Sequence, residues 1–216
     1  MLSPRSWTVH TAGQPFVMPE PGTLVGAWVA MLSQNPDQPL LHDTTGWVNR
    51  GEFLARTERV AGRLQGMGLN PGDRVVISGP STVDLAVAHV AALRAGLIVV
   101  PTNGSYQEPE LAHVVTDARP RAALVDHPGW ENTLKSLAPE LLVCPTSMPW
   151  PDHPPQNLDA VTPDSPAFIG YTSGTTGRPK GAMLSQANLL ASVAAVQMAW
   201  KWTAQDRLLL CLPMFH

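Results

Sequence analysis

Between Arg74 and Cys144 the chain repeats one pattern. A short, nearly unbroken apolar run is followed by a segment of helical length. The apolar runs are Arg74–Ser78, Leu97–Val100, Ala122–Val125 and Leu141–Cys144; helices are expected over Val83–Ala95, Pro109–Ala118 and Trp130–Leu137. A strand with one wet face alternates apolar and polar residues, whereas a run without polar positions needs cover on both faces. Such runs separated by helices predict an α/β fold: a mostly parallel, doubly wound sheet with helices on both faces. Pro101 stops the second run, and Pro109 sits in the first turn of its helix, where no intrahelical N–H is needed.

Residues 1–22 are proline-rich and without period, an irregular lead-in. Thr23 can cap a helix reaching about Gln34, with Leu24, Ala27, Trp28, Met31 and Leu32 on one face. Pro39–His42 and Trp47–Val48 flank a hairpin turn that closes on Gly46. Asn49 with Glu52 forms a capping box for a helix carrying Phe53, Val60, Leu64 and Met67 in one stripe, ended by Gly68. The expected organisation is a lead-in with helices and hairpin over 1–72, then an α/β nucleotide-binding subdomain over 73–216. Inside the second part, 145–166 holds seven prolines in twenty-two residues. Proline at that density predicts a stiff, exposed, non-catalytic connector.

Composition narrows the function classes. The net charge of −3, with no basic run, excludes non-specific nucleic-acid binding. Hydrophobic residues make up 44% and charged ones only 14%, against ~25% charged in ordinary soluble domains. That balance predicts surface intended for burial, and self-association where such surface stays open. Cys144 and Cys211 both lie in apolar runs that read as core strands, so buried, reduced thiols and a cytoplasmic location are expected. The N-terminus lacks the basic start and apolar centre of a signal peptide. The most apolar window, Leu85–Val100, is interrupted by His89 and Arg94 and is too short to span a bilayer. The histidines, His89 and His113 among them, are scattered without ligand spacing, so no metal site is expected.

The remaining feature is chemical. Ala167–Tyr171 reads as a buried strand, followed by Thr172, Ser173, Gly174, Thr175, Thr176, Gly177, Arg178, Pro179 and Lys180, and then by a helix capped by Ser185 that carries Leu189, Leu190, Val193, Val196 and Met198. Glycines allow backbone N–H groups to converge into an anion nest; Ser173, Thr175 and Thr176 add hydroxyl donors, and Lys180 adds a positive charge. The same residue types also make ordinary flexible loops. No hydroxyl follows Lys180, so the segment is not a Walker A loop. Downstream, Asp206–Leu212 reads as a strand ended by Pro213. Trp200 and Trp202 read either as an aromatic binding patch or as a helix end packed on a neighbour.

The run Tyr171–Gly181 closely resembles the signature loop of the adenylate-forming superfamily of acyl-CoA synthetases, adenylation domains and luciferases. Trp47–Leu54 resembles another of its signatures loosely. Leu93–Asn103, with Tyr106 and Glu110–Leu111 after it, resembles a third, and Leu212–His216 a fourth. The resemblance covers essentially the whole chain but only the front part of the family's architecture, and the chain ends inside the last motif. It implies a ligase that activates a small carboxylic acid with ATP and magnesium and transfers it to coenzyme A. Thr172 to Lys180 would hold the phosphates, and Phe215 and His216 would line the acyl pocket. Trp200 to Trp202 with Leu212 to His216 resemble the malonyl-CoA synthetase branch and other short-acyl ligases. Family parts for adenine, ribose and the catalytic lysine have no counterpart before His216, so the 216-residue chain alone is expected to be inactive. Loading of a carrier protein and a non-catalytic nucleotide-binding role remain open.

Overall fold

The computed structural model describes residues 22–147, 151–172, 179–203 and 205–215. Helix α1 (Leu24–Leu32) leads into a hairpin of β1 (Pro39–Asp43) and β2 (Gly46–Asn49), then α2 (Arg50–Gly66). The Thr23 and Asn49 side chains accept the N–H of Gly26 and Glu52, so both helices start where their caps predict. In α1 the buried residues are Leu24, Val25 and Leu32; Ala27 and Met31, expected on that face, are exposed. The Asp43 carboxylate at the hairpin tip accepts the N–H of Val83, which fixes the hairpin against the start of the next helix.

From there the alternation is as expected: β3 (Arg74–Ser78), α3 (Val83–Arg94), β4 (Ile98–Pro101), α4 (Glu108–Ala118), β5 (Ala122–Val125), α5 (Trp130–Leu137) and β6 (Leu142–Cys144). After the connector come β7 (Pro166–Thr172), β8 (Lys180–Ser185) and α6 (Gln186–Trp200). One sheet has the order β6-β5-β3-β4-β7-β8; every pair in it is parallel except β7 with β8. Successive residues of each central strand feed opposite cores. Val75, Ile77, Val99 and Leu124 join Phe53, Leu64, Ala88 and Ala92 of α2 and α3. Val76, Val100, Ala123 and Val125 join Leu111 and Val114 of α4 and Trp130 and Leu134 of α5. The unbroken apolar runs exist because both faces of these strands are covered.

Three expectations are corrected. The signature loop does not lead directly into a helix: Lys180–Ser185 is an edge strand paired antiparallel to β7, so the loop tops a hairpin. Edge position leaves most of β8 exposed, and its residues therefore carry no strand pattern to read. The strand expected over Asp206–Leu212 is not formed. Among the described residues that segment pairs with nothing, and Leu209 is 85% exposed; an apolar run without a neighbouring strand has no ladder to join. Cys211 is accordingly exposed, whereas Cys144 is buried in β6. Trp200 and Trp202 are both exposed and meet each other edge-on at 5.2 Å.

The connector is less free than its composition suggests. Residues 151–156 are exposed, but Leu158 and Val161 pack on the α2–α3 side of the core. Arg94, 4% exposed near the end of α3, donates to the Asp159 carboxylate at 3.0 Å and to Thr57 Oγ1 at 2.8 Å, and faces Glu58 at 3.4 Å. Gly62 of α2 has the His153 carbonyl lying where a side chain would stand; a Cβ there would be 1.9 Å from that oxygen. Gln186 is buried at the start of α6, and its Oε1 accepts the N–H of Val25, tying α6 back to α1. Among the described residues no helix is long and apolar enough to cross a membrane.

Two outcomes follow. Burial, helped by Asp126 and Glu131, pushes the Cys144 thiol up to about 12. In the native protein at pH 8 a thiol reagent should therefore label Cys211 quickly and Cys144 only after denaturation, as read by peptide mass. Replacing Arg94 by Ala strips the Asp159 carboxylate of its cation and opens a hole between α2 and α3. Urea unfolding should show a loss of about 3 kcal/mol.

Candidate functional site

All five parallel strands present their carboxyl ends on one side, the edge where doubly wound folds form their ligand crevices. Polar residues gather at or just beyond those strand ends. Ser78, the last residue of β3, donates its hydroxyl to the Thr102 carbonyl after β4. It must then accept at 2.9 Å from His127 Nε2, which fixes the proton on that nitrogen. Burial holds His127 below its ordinary value, although Asp126 pulls the other way. Asp126 in turn accepts both the N–H and the hydroxyl of Thr146 after β6. This network closes the ends of β3, β4, β5 and β6 against each other.

The β7–β8 hairpin stands beside it on the same edge. Val99 pairs with Phe168, so β4 finishes near Gly170, and Tyr171 and Thr172 run past their inner neighbour. Tyr171 faces Gly181 and Thr172 faces Lys180 across the stem, with Thr172 Oγ1 3.5 Å from the Lys180 carbonyl. Thr172 and Lys180 are exposed and Pro179 is half-buried. Ser173, Gly174, Thr175, Thr176, Gly177 and Arg178 lie outside the described residues, as does His216. Phe215 is half-buried, and Met214 beside it packs on the α2–α3 face. Tyr171 packs on the opposite face, the one covered by α4 and α5.

Two side chains of α4 hold the stem. His113 Nε2 of α4 lies 2.8 Å from the Pro179 carbonyl, and Tyr171 donates its hydroxyl to Asp117 Oδ2 at 2.7 Å. Between them opens a cavity of about 450 Å³, lined by Tyr106, Pro109, Glu110, His113, Tyr171 and Pro179 among others. The only available signal was the spacing of His113 and Asp117, one helical turn apart and so on one side of α4. Chemically, the arrangement offers a lysine ammonium and a threonine hydroxyl at the neck of a loop, at the carboxyl edge of a parallel sheet. It suits a phosphorylated ligand. Among the described residues no group of three His, Cys, Asp or Glu side chains gathers as a metal centre.

The sequence profile of the family described as "AMP-binding enzyme" matches residues 28–216. The chain belongs to that family. Among its curated relatives is a feruloyl-CoA synthase of Amycolatopsis sp, 32% identical over 195 residues, which are 89% of this chain and 39% of that enzyme. Another is the enterobactin synthase component F of Escherichia coli O157:H7, 29% identical over 86% of this chain and 14% of that protein. The crystal structure of ATP-bound MatB from Rhodopseudomonas palustris superposes with a TM-score of 0.81 at 31% identity, covering 90% of this chain and 41% of MatB. The chain thus spans about two-fifths of the synthase and of MatB. The α/β architecture with its mostly parallel sheet is the fold of these adenylate-forming enzymes.

The tyrosine in this AMP-binding family stem reports on its own contacts. Burial first, and then the bond to Asp117 and its charge, hold the Tyr171 phenol above its ordinary value. The folded state therefore keeps that proton more tightly than the unfolded chain does. Any stability this supplies is complete below about pH 10 and is lost as the pH rises further. The alkaline absorbance change of the wild type minus that of Tyr171→Phe should show Tyr171 ionising above the ordinary tyrosine range. Asp117→Asn should return it part of the way, leaving the share due to burial.

Proposed function

We propose that this chain supplies the front, phosphate-gripping portion of an AMP-forming acid–thiol ligase that joins a carboxylic acid to coenzyme A. The chemistry runs in two balanced steps. A carboxylate oxygen bonds to the α-phosphorus of ATP as the bond to pyrophosphate breaks; a thiol sulfur then bonds to the acyl carbon as AMP leaves and the thiol proton passes to solvent. The observation that carries this reading is the hairpin stem. It sets Thr172 and Lys180 opposite each other at the mouth of a Ser/Thr/Gly loop, on the ligand edge of the sheet. Ser173, Thr175 and Thr176 would donate to the β- and γ-phosphates, each bond to a charged acceptor being worth ~1.5–3 kcal/mol. Lys180 would balance the charge on those oxygens. Magnesium enters with the polyphosphate, since the described residues gather no acidic cluster of their own. Phe215 and His216 would wall the acyl pocket, and two cysteines held as thiols rather than as a disulfide suit a reducing, cytoplasmic setting.

The match to an enterobactin synthase component supports a second reading, in which the acceptor is the thiol of a carrier protein. Competition between coenzyme A and a phosphopantetheine-bearing carrier for the activated acyl group separates the two acceptors. The phosphate role is tested directly on this chain. Pro179 shields Arg178 from trypsin, whereas the Lys180–Gly181 bond is open to it. Magnesium-ATP should protect that bond. Lys180→Met should weaken ATP binding more than Thr176→Ala, because it removes a full charge from beside the phosphates. Equal cleavage with and without saturating magnesium-ATP would exclude the loop as the cradle.

A further inference from the structure

We propose that helix α4 is a clamp on the stem of the β7–β8 hairpin, with His113 and Asp117 as positioning residues that fix where the loop leaves the sheet and where it returns. The clamp itself stands on geometry; its consequence for nucleotide binding rests on the reading of the loop as a phosphate cradle.

Three independent observations meet here. The stem needs an outside hold, because Tyr171 and Thr172 extend beyond the end of β4 while β8 is an exposed edge strand. One turn of α4 supplies it to both legs. Asp117 takes the hydroxyl of Tyr171, two residues before the loop, at 2.7 Å, and His113 reaches the carbonyl of Pro179, just before the return strand, at 2.8 Å. A carbonyl only accepts, so His113 carries its proton on Nε2 in this contact. The two contacts also brace each other, since the His113 ring meets the Tyr171 ring edge-on at 5.6 Å.

The third observation is Gly181. It stands opposite Tyr171 in the stem. A Cβ at that position would come within 2.9 Å of Ile169 Cγ2, 3.4 Å of Tyr171 Cζ and 3.5 Å of Asp117 Oδ2. A Cβ there would crowd the Ile169 side chain and would lie at contact distance from both groups of the Tyr171–Asp117 bond. Gly181 thus keeps the return strand close against that bond. Beside these bonds the cavity of about 450 Å³ leaves the stem room to move once they open.

Cleavage by trypsin after Lys180 needs the stem to open, so its rate without nucleotide measures the clamp. In the 216-residue chain, His113→Ala and Tyr171→Phe should each raise that rate about fivefold, the effect of one hydrogen bond. Their melting curves report whether the fold is otherwise kept. His113→Gln, whose amide can donate to the same carbonyl, should bring the rate back to within about twofold of wild type. Wild-type rates in both His113→Ala and Tyr171→Phe would overturn the clamp. So would a His113→Gln rate as fast as that of His113→Ala, because packing rather than the bond would then be responsible. With magnesium-ATP, both weakening variants should bind about fivefold less tightly, since ligand must then order the stem itself. Failure of magnesium-ATP to protect the wild type would count against the phosphate cradle, while the ligand-free rates would still decide the clamp.

Discussion

The central strand β3 depends on being dry on both sides. Val75 and Ile77 point into the core shared with α2 and α3, and Val76 points into the one shared with α4 and α5; all three are 0–1% exposed. Withdrawing a Val or Ile side chain from water is worth ~1.5–3 kcal/mol, and the same requirement extends to β4 and β5 beside it. Everything else is arranged around that need. The helices must lie on opposite faces, so the strands must be parallel and the connections long. The strand ends then fall together on one edge. That edge is where Ser78, Thr102, Asp126, His127 and Thr146 interlock and where the hairpin rises.

Most of this was legible in the residues. Runs such as Val75–Ile77 and Ala122–Val125 have no polar position, which only two-sided burial explains, and caps at Thr23, Asn49 and Ser185 stand where helices begin. What escaped the sequence has physical causes. Edge strand β8 is exposed over most of its length, so burial imposed no period on Lys180 to Ser185. Leu208 to Leu212 is apolar enough to be a strand, yet pairing depends on a neighbour that apolarity does not reveal. Asp126 and Thr146, or Tyr171 and Asp117, are far apart in sequence and meet only through the topology.

Arg94 shows how a residue that spoils a simple pattern can organise a structure. It ends α3, in an apolar stretch that runs on into β4. In space it is the cation at which α2, α3 and the connector converge, through Thr57, Glu58 and Asp159. A charge in so apolar a stretch signals a buried partner, but the identity of its carboxylate, Asp159, lies in the proline-rich segment, where no period exists to point to it.

The crossing made by that connector also orders events in time. Strand β6 lies at one edge of the sheet and β7 beyond β4 on the other side, so the chain must traverse the molecule before the hairpin can be laid down. Contacts between partners so distant in sequence form slowly, because the entropy of closing the intervening chain is lost before they are gained. Strands β3, β4 and β5, close in sequence, can assemble first, and on a ribosome they emerge first. The hairpin that bears the glycine loop then docks after those strands. Until it does, the edge of β4 stays bare, a template on which another extended chain could pair.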